Sequence, residues 1–227
     1  MGAVLVVSPH PDDETLGCGG LIGICARAMY PLSVLAMTNG EASHPGNEVW
    51  RNALSKIRQR EQRNALKALG IPNPDIIQLG LPDGELNQIS EARREQTLDL
   101  IRDVIRSRNI KSLFLPAIDD RHADHREAAK LLVEAVRSCP VTYVFSYQIW
   151  PPATRPRQVS VNERAYTLDV SAVLPAKRTA VEQYRSQLGF TEPTHTEGFR
   201  MPQALLDEKL RDQECFALIL DLSAWSA

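Results

Sequence analysis

A chain of 227 residues with 43% hydrophobic and 24% charged side chains buries roughly 70% of its unfolded surface on folding, enough for one sizeable domain. That composition excludes disordered, collagen-like and mini-protein architectures. With 26 Lys and Arg against 28 Asp and Glu, a formal charge of −2, no field of one sign is available to gather nucleic acid.

In chain order, the apolar run Ala3 to Val7, short and β-branched, stops at Ser8-Pro9 and reads as a strand buried on both faces of a parallel sheet. No basic region or cleavage site precedes it, and Val6 stands where a myristoylation signal needs Ser or Thr. No apolar run is long enough to span a membrane. Asp12-Asp13-Glu14 then places carboxylates in the positive first turn of a helix whose apolar positions are Leu16, Leu21, Ile22 and Cys25. The alternation continues with a strand at Leu32 to Met37, a helix at Glu48 to Leu69 ending at Gly70, and a strand at Asp75 to Leu79. A helix from about Ser90 to Arg108, a strand at Ser112 to Leu115, a helix from about Asp124 to Ser138 and a strand at Val141 to Ser146 follow. Trp150 to Asn162, with three prolines, reads as an ordered loop too short to separate two domains. Ala165 to Val170 returns as a strand, Ala176 to Leu188 has helical periodicity, and Pro202 to Arg211 is a second short helix. Strand and helix alternation of this kind predicts one α/β domain over 1–227, a Rossmann-like, mostly parallel sheet with helices on both faces. Cys18, Cys25, Cys139 and Cys215 are widely spaced without a C-x-x-C pair, which fits free thiols in a reducing, cytoplasmic compartment.

Chemistry concentrates at two strand ends. Ser8-Pro9-His10-Pro11-Asp12-Asp13-Glu14 lies at the C-terminal end of the first strand, the edge where open parallel sheets place ligands. His10 and Asp13, three residues apart, can aim one nitrogen and one oxygen at a common point while Asp12 projects elsewhere. His122-Ala123-Asp124-His125 follows the strand at Ser112 and the polar loop Asp119-Asp120-Arg121. Joining His125 to His10 and Asp13 makes two nitrogens and one oxygen, the three-ligand set that leaves a catalytic zinc an open position for water. His122 is then left for proton chemistry, and Asp124 either orients a histidine from behind or caps its helix. Helix capping and dipole compensation explain Asp12-Asp13-Glu14 alone, and a surface helix start with satisfied histidines explains His122 and His125 alone; together the two clusters fall on corresponding strand ends. His44 and His195 stand apart from both. Gly17-Cys18-Gly19-Gly20 superficially suggests a dinucleotide fingerprint, but the glycines sit a full turn inside the helix and Gly23 is out of register. Close helix-to-sheet packing is the expected purpose of these small residues.

These residues resemble the LmbE-like, or PIG-L, zinc-dependent deacetylases of N-acetylglucosaminyl compounds. Pro9-His10-Pro11-Asp12-Asp13-Glu14 and His122-x-Asp124-His125 match the two signature motifs of that family. The likeness extends through Thr38-Asn39-Gly40-Glu41, Arg58-x-x-Glu61 with Leu69-Gly70, Leu81-Pro82-Asp83-Gly84, Lys177 with Tyr184-x-Ser186-Gln187, and Glu197-Gly198-Phe199. The resemblance implies a Rossmann-like layer with His10, Asp13 and His125 as ligands of Zn2+, Asp12 as general base and His122 as the group stabilising the oxyanion. It implies amide hydrolysis of a glucosamine-containing small molecule or conjugate by metal-bound water, and places Arg58 and Asp83 near substrate. Arg155 and Arg157, in the proline-rich loop, are candidates for an anionic aglycone, with solvated loop charges as the simpler alternative. The expected partner is an N-acetylated sugar conjugate, with neither nucleic acid nor membrane; a homo-oligomer is compatible with the sequence. Two competitors remain: a metal-dependent phosphoesterase, which usually needs more ligands for a two-metal site, and a non-catalytic nucleotide-binding α/β domain.

Overall fold

The structure is a computed structural model that describes residues 2–151, 160–190 and 197–225. Arg155, Arg157 and His195, named above, lie outside the described residues. Seven strands, β1 (Ala3–Ser8), β2 (Leu32–Thr38), β3 (Asp75–Leu81), β4 (Ile110–Pro116), β5 (Tyr143–Tyr147), β6 (Glu163–Asp169) and β7 (Gln213–Ile219), form one sheet in the order β3-β2-β1-β4-β5-β7-β6. The first five are parallel, and β7 runs antiparallel to both β5 and β6. Six helices accompany them among the described residues: α1 (Asp13–Arg27), α2 (Glu48–Ala68), α3 (Glu91–Ser107), α4 (Ala123–Val136), α5 (Leu174–Val181) and α6 (Gln203–Lys209).

Every residue of β1 is buried, and its alternation divides the core into two layers. Leu5 and Val7 join α3 and α4 through Leu98, Ile101, Leu132 and Val136; Val4 and Val6 join α1, α2 and α5 through Leu16, Ile22, Leu66 and Val181. A strand covered by helices on both faces reads as a continuous apolar run, because neither side chain set meets water.

Two elements depart from the sequence expectation. The helix expected over Ala176 to Leu188 ends at Val181, and Arg185–Leu188 forms a separate 3-10 turn closed by Gly189 at φ +88°. The interruption brings Tyr184 against Glu14 and Ser186 against Glu61, so tertiary hydrogen bonds outweigh a modest helical tendency. Strand β7, which includes the apolar run from Cys215, is not among the elements expected from sequence; its Glu214 faces inward and receives Lys177 Nζ at 2.7 Å and the amides of Gly20 and Leu21 at 2.6 and 2.9 Å.

The glycines of α1 serve packing, as expected. A Cβ on Gly17 would stand 2.3 Å from the Tyr147 ring, whose hydroxyl donates to the Val7 carbonyl at 2.6 Å. A Cβ on Gly20 would stand 2.3 Å from Val170. Because Tyr147 is buried and pinned at its far end, Gly17→Val destabilises the fold by about 1–3 kcal/mol, read as a lower urea midpoint at unchanged slope; an unchanged midpoint would mean that the ring moves aside freely.

Candidate metal centre

The sheet order reverses at β1: β2 leaves on one side and β4 lies on the other. A crevice opens beyond the C-terminal ends of two parallel strands wherever successive connections depart in opposite directions. Here the residues following β1 and those following β4 meet in that crevice, although 115 positions separate His10 from His125.

Three atoms converge. His10 Nδ1 lies 3.2 Å from Asp13 Oδ2, His125 Nε2 lies 3.1 Å from the same oxygen, and the two nitrogens are 3.3 Å apart. Ligands at tetrahedral angles and zinc-like bond lengths of about 2.0–2.1 Å stand about 3.3 Å from each other. The outward faces of both imidazoles meet carboxylates as well. His10 Nε2 faces Asp83 Oδ1 and Asp124 Oδ2, each at 3.1 Å, and His125 Nδ1 faces Asp120 Oδ2 at 3.4 Å. Asp13 accepts as readily on the inward side, so a cation is what sorts the nitrogens: with one in the triangle the inward nitrogens would present lone pairs to it and the outward nitrogens would carry the protons toward Asp83, Asp124 and Asp120. Two lone pairs and a carboxylate oxygen then point at one place with no donor among them. A divalent cation fits that donor set.

The titration behaviour agrees. Burial opposes charge on His125, yet Asp13 and Asp120 raise it to about 9. Burial also opposes charge on His10, and Asp124, Asp13 and Asp83 overcome it. Desolvation raises Asp13, but the two histidines hold it far below the ordinary carboxylate range. A pocket that draws protons onto its histidines is a pocket short of positive charge, and metal and protons compete for it. One atom each from His10, Asp83 and Asp124 also cluster within 4.8 Å. That group uses the opposite nitrogen of His10, the one committed as donor, so it does not form a second metal position beside the first.

Asp12 sits at the rim with φ +144°, a conformation that costs on the order of 1–3 kcal/mol for a residue with a side chain. Its Oδ2 accepts from Arg58 Nη2 at 3.0 Å, while Arg58 also donates to the carbonyls of Pro11 and Gly40 at 2.8 and 2.9 Å. Gly40 is glycine at φ +69° because a Cβ there would lie 2.1 Å from that guanidinium. Burial pushes Asp12 up to about 8, against the pull of Arg58. His122 caps α4: its Nδ1 accepts from the Asp124 amide at 3.2 Å. Nε2 must then carry the hydrogen, so neutral His122 is already a donor. Burial, with repulsion from His10 and His125, lowers His122 to about 4, and donation from the neutral ring does not require protonation.

The site residues named from sequence therefore gather in one place. Arg58 and Asp83, placed near substrate, both line the cavity and are turned toward the machinery: Arg58 holds Asp12, and Asp83 bridges His10 and the Ala42 amide, the latter at 2.7 Å. Although burial opposes it, His10 holds Asp83 down to about 2. Of the two alternatives for Asp124, it faces His10 from behind and does not cap α4, a place His122 takes; it also accepts from the amides of Gly84 and Leu86 at 2.7 and 3.2 Å. His44 is buried against Gly198. Glu14 and Asp120 escape the sequence reading as parts of the site. Glu14 accepts from Ser8 Oγ at 2.6 Å, Gln62 Nε2 at 3.0 Å and Tyr184, fixing the turn that carries His10 and Asp12. No local pattern marks such a role, because these partners come from three separate segments.

The triangle opens into a cavity of about 580 Å3, walled on the far side by Ile149, Trp150, Phe199, Met201 and Leu205 with Arg121 at the edge. Its volume lies within the range that takes small organic ligands, roughly 300–1,000 Å3. Among the described residues no helix is long and apolar enough to cross a membrane.

Residues 5–136 match the profile of the PIG-L family, GlcNAc-PI de-N-acetylase. The chain is 28% identical over 219 residues, 93% of itself and 90% of its relative, to a probable N-acetyl-alpha-D-glucosaminyl L-malate deacetylase 2 of Bacillus subtilis (strain 168). It is 28% identical over 193 residues, 81% of itself and 69% of its relative, to diacetylchitobiose deacetylase of Thermococcus kodakarensis. Among solved structures, the conserved protein TT1542 of Thermus thermophilus superposes with a TM-score of 0.67 at 29% identity, covering 95% of this chain and 94% of that one.

Proposed function

Because the chain belongs to the PIG-L family of de-N-acetylases, we propose that it is a zinc-dependent hydrolase removing the N-acetyl, or a related N-acyl, group from a glucosamine-containing small molecule or glycoconjugate. The observation that carries the reading is the triangle of His10 Nδ1, Asp13 Oδ2 and His125 Nε2, with Asp12 and His122 beside it at the mouth of a cavity. Relatives named as deacetylases of N-acetylglucosaminyl malate and of diacetylchitobiose support the substrate class.

A divalent ion held by His10, Asp13 and His125 supplies Lewis acidity, which makes water acidic enough to ionise near neutral pH and polarises the acyl oxygen. Asp12 takes the proton of the attacking water; it is adjacent to a ligand, buried, and aimed by Arg58. His122 donates its Nε2–H to the oxygen on which negative charge develops, a contribution worth on the order of 100–1,000-fold in turnover where such donors have been removed from other enzymes. Asp83 and Asp124 hold the His10 ring from behind, fixing which nitrogen points inward. The proton on Asp12 can pass to the departing amine, leaving a free amine and acetate. The apolar wall of Trp150, Phe199 and Met201 receives the part of the substrate remote from the amide. A cytoplasmic location belongs to the same proposal, supported by four free thiols.

Purified chain loaded with zinc and incubated with N-acetylglucosamine conjugates is expected to release acetate and primary amine in equal amounts. Absence of amine across such a panel, with phosphate released from phosphoesters instead, would overturn the deacetylase reading.

A further inference from the structure

Asp120 lies in the turn between β4 and α4, only 1% exposed, and among the described residues no arginine or lysine pairs with its carboxylate. Its two oxygens are fully used. Oδ1 accepts from the His122 amide at 2.9 Å; Oδ2 accepts from the amides of Ile149 and Trp150 at 3.0 and 2.9 Å and faces His125 Nδ1 at 3.4 Å. One side chain therefore touches the backbone of the oxyanion donor, the back of one inward-pointing histidine, and the start of the cavity's apolar wall. Isolated buried carboxylates are costly, and three amide donors are the usual way of keeping one ionised without a cation.

We propose that Asp120 is a positioning residue for the metal centre, holding the Nδ1–H tautomer of His125 so that Nε2 is free for the ion, and fixing His122 and Trp150 relative to it. The proposal rests on the reading of the triangle as a metal site. The reasoning is geometric. His10 is steadied by two carboxylates, Asp83 and Asp124, whereas His125 has Asp120 alone on its outward face among the described residues. Removing the charge at Asp120 therefore weakens the constraint that keeps Nε2 a lone-pair donor. In Asp120→Asn the amide NH2 must face a donor whichever way it turns, since both oxygens of the native residue accept. The variant therefore loses at least one contact and the negative charge behind His125, without changing volume.

The test uses the full-length chain and zinc ions. Zinc affinity, measured by competition with a chromophoric chelator, is expected to fall about 10- to 100-fold in Asp120→Asn, the usual effect of losing a carboxylate behind a metal-bound histidine. In the wild-type zinc-loaded protein, 15N-detected imidazole spectra are expected to place a proton on Nδ1 of His125 and zinc on Nε2. A purely structural Asp120 would lower the melting temperature of the variant while leaving its zinc affinity at the wild-type value, and that outcome overturns the proposal. If the asparagine variant fails to fold, the wild-type spectrum decides alone: zinc on Nδ1 of His125 overturns it. Failure of the wild-type chain to take up zinc would sink the metal-centre reading itself, whereas zinc uptake indifferent to Asp120→Asn sinks only the role given to Asp120.

Discussion

Asp12→Asn is expected to lower kcat/KM for deacetylation by about 1,000-fold, within the range of 10²–10⁴ that a positioned general base contributes, while zinc content stays at the wild-type level. The substitution is chosen for what it preserves. The asparagine carbonyl still accepts from Arg58 Nη2, which stands 3.0 Å from the native Oδ2, and the three converging ligand atoms belong to other residues. What is lost is basicity. Burial raises the Asp12 carboxyl, with Arg58 pulling the other way, to about 8; a cation in the adjacent triangle adds to the pull of Arg58 and lowers it further. Only the ionised carboxylate takes a proton, so wild-type kcat/KM rises with pH through this pKa and levels above it. In the asparagine variant the contribution of Asp12 to that limb disappears, and the residual rate follows only the ionisation of the activated water. Near-wild-type turnover in Asp12→Asn, or an acidic limb with its midpoint unchanged, would assign the base elsewhere.

His125→Ala is expected to abolish metal binding and activity together. His125 is fully buried and supplies one corner of a triangle whose edges are 3.1 to 3.3 Å. Without it two donors remain, too few to retain zinc through dialysis. Loss of the ion removes the activated water and the polarised acyl oxygen at once. Since a metal is worth several kcal/mol for the latter alone, and each 1.36 kcal/mol is tenfold, hydrolysis falls by on the order of 10⁴ or more. Metal content after dialysis and amine release, measured on the same sample with circular dichroism as the control for folding, check the expectation. Retained stoichiometric zinc with lost activity would instead make His125 a group acting on substrate.

The parallel half of the fold is readable because each of its strands is an apolar run between turn residues, and its helices carry the 3.6-residue period with acidic starts. At the antiparallel end β6 is readable as the strand at Ala165 to Val170; β7 is the strand the sequence reading does not name, and its Glu214 is buried by Lys177 and two backbone amides, a pairing invisible along the chain. The same division holds at the site. His10, Asp12, Asp13, His122 and His125 stand in two compact motifs at strand ends, and sheet topology brings them together. The contacts that aim them come from scattered positions: Arg58 from α2, Asp83 from the segment after β3, Asp120 from the turn before α4. Spacing identifies residues that share a turn or a helix face; it carries no information about which side chain lies behind a histidine. For that reason the sequence places Arg58 and Asp83 near substrate without revealing their contacts to Asp12 and His10, and shows Asp120 only as part of a polar loop.

The most direct measurement is anomalous diffraction from crystals of the zinc-loaded chain, recorded above and below the zinc absorption edge. A single peak about 2.0–2.2 Å from His10 Nδ1, Asp13 Oδ2 and His125 Nε2, present only above the edge, is the expected result. Zinc bound elsewhere in a catalytically active crystal, or an active crystal with no peak at those three atoms, would contradict it.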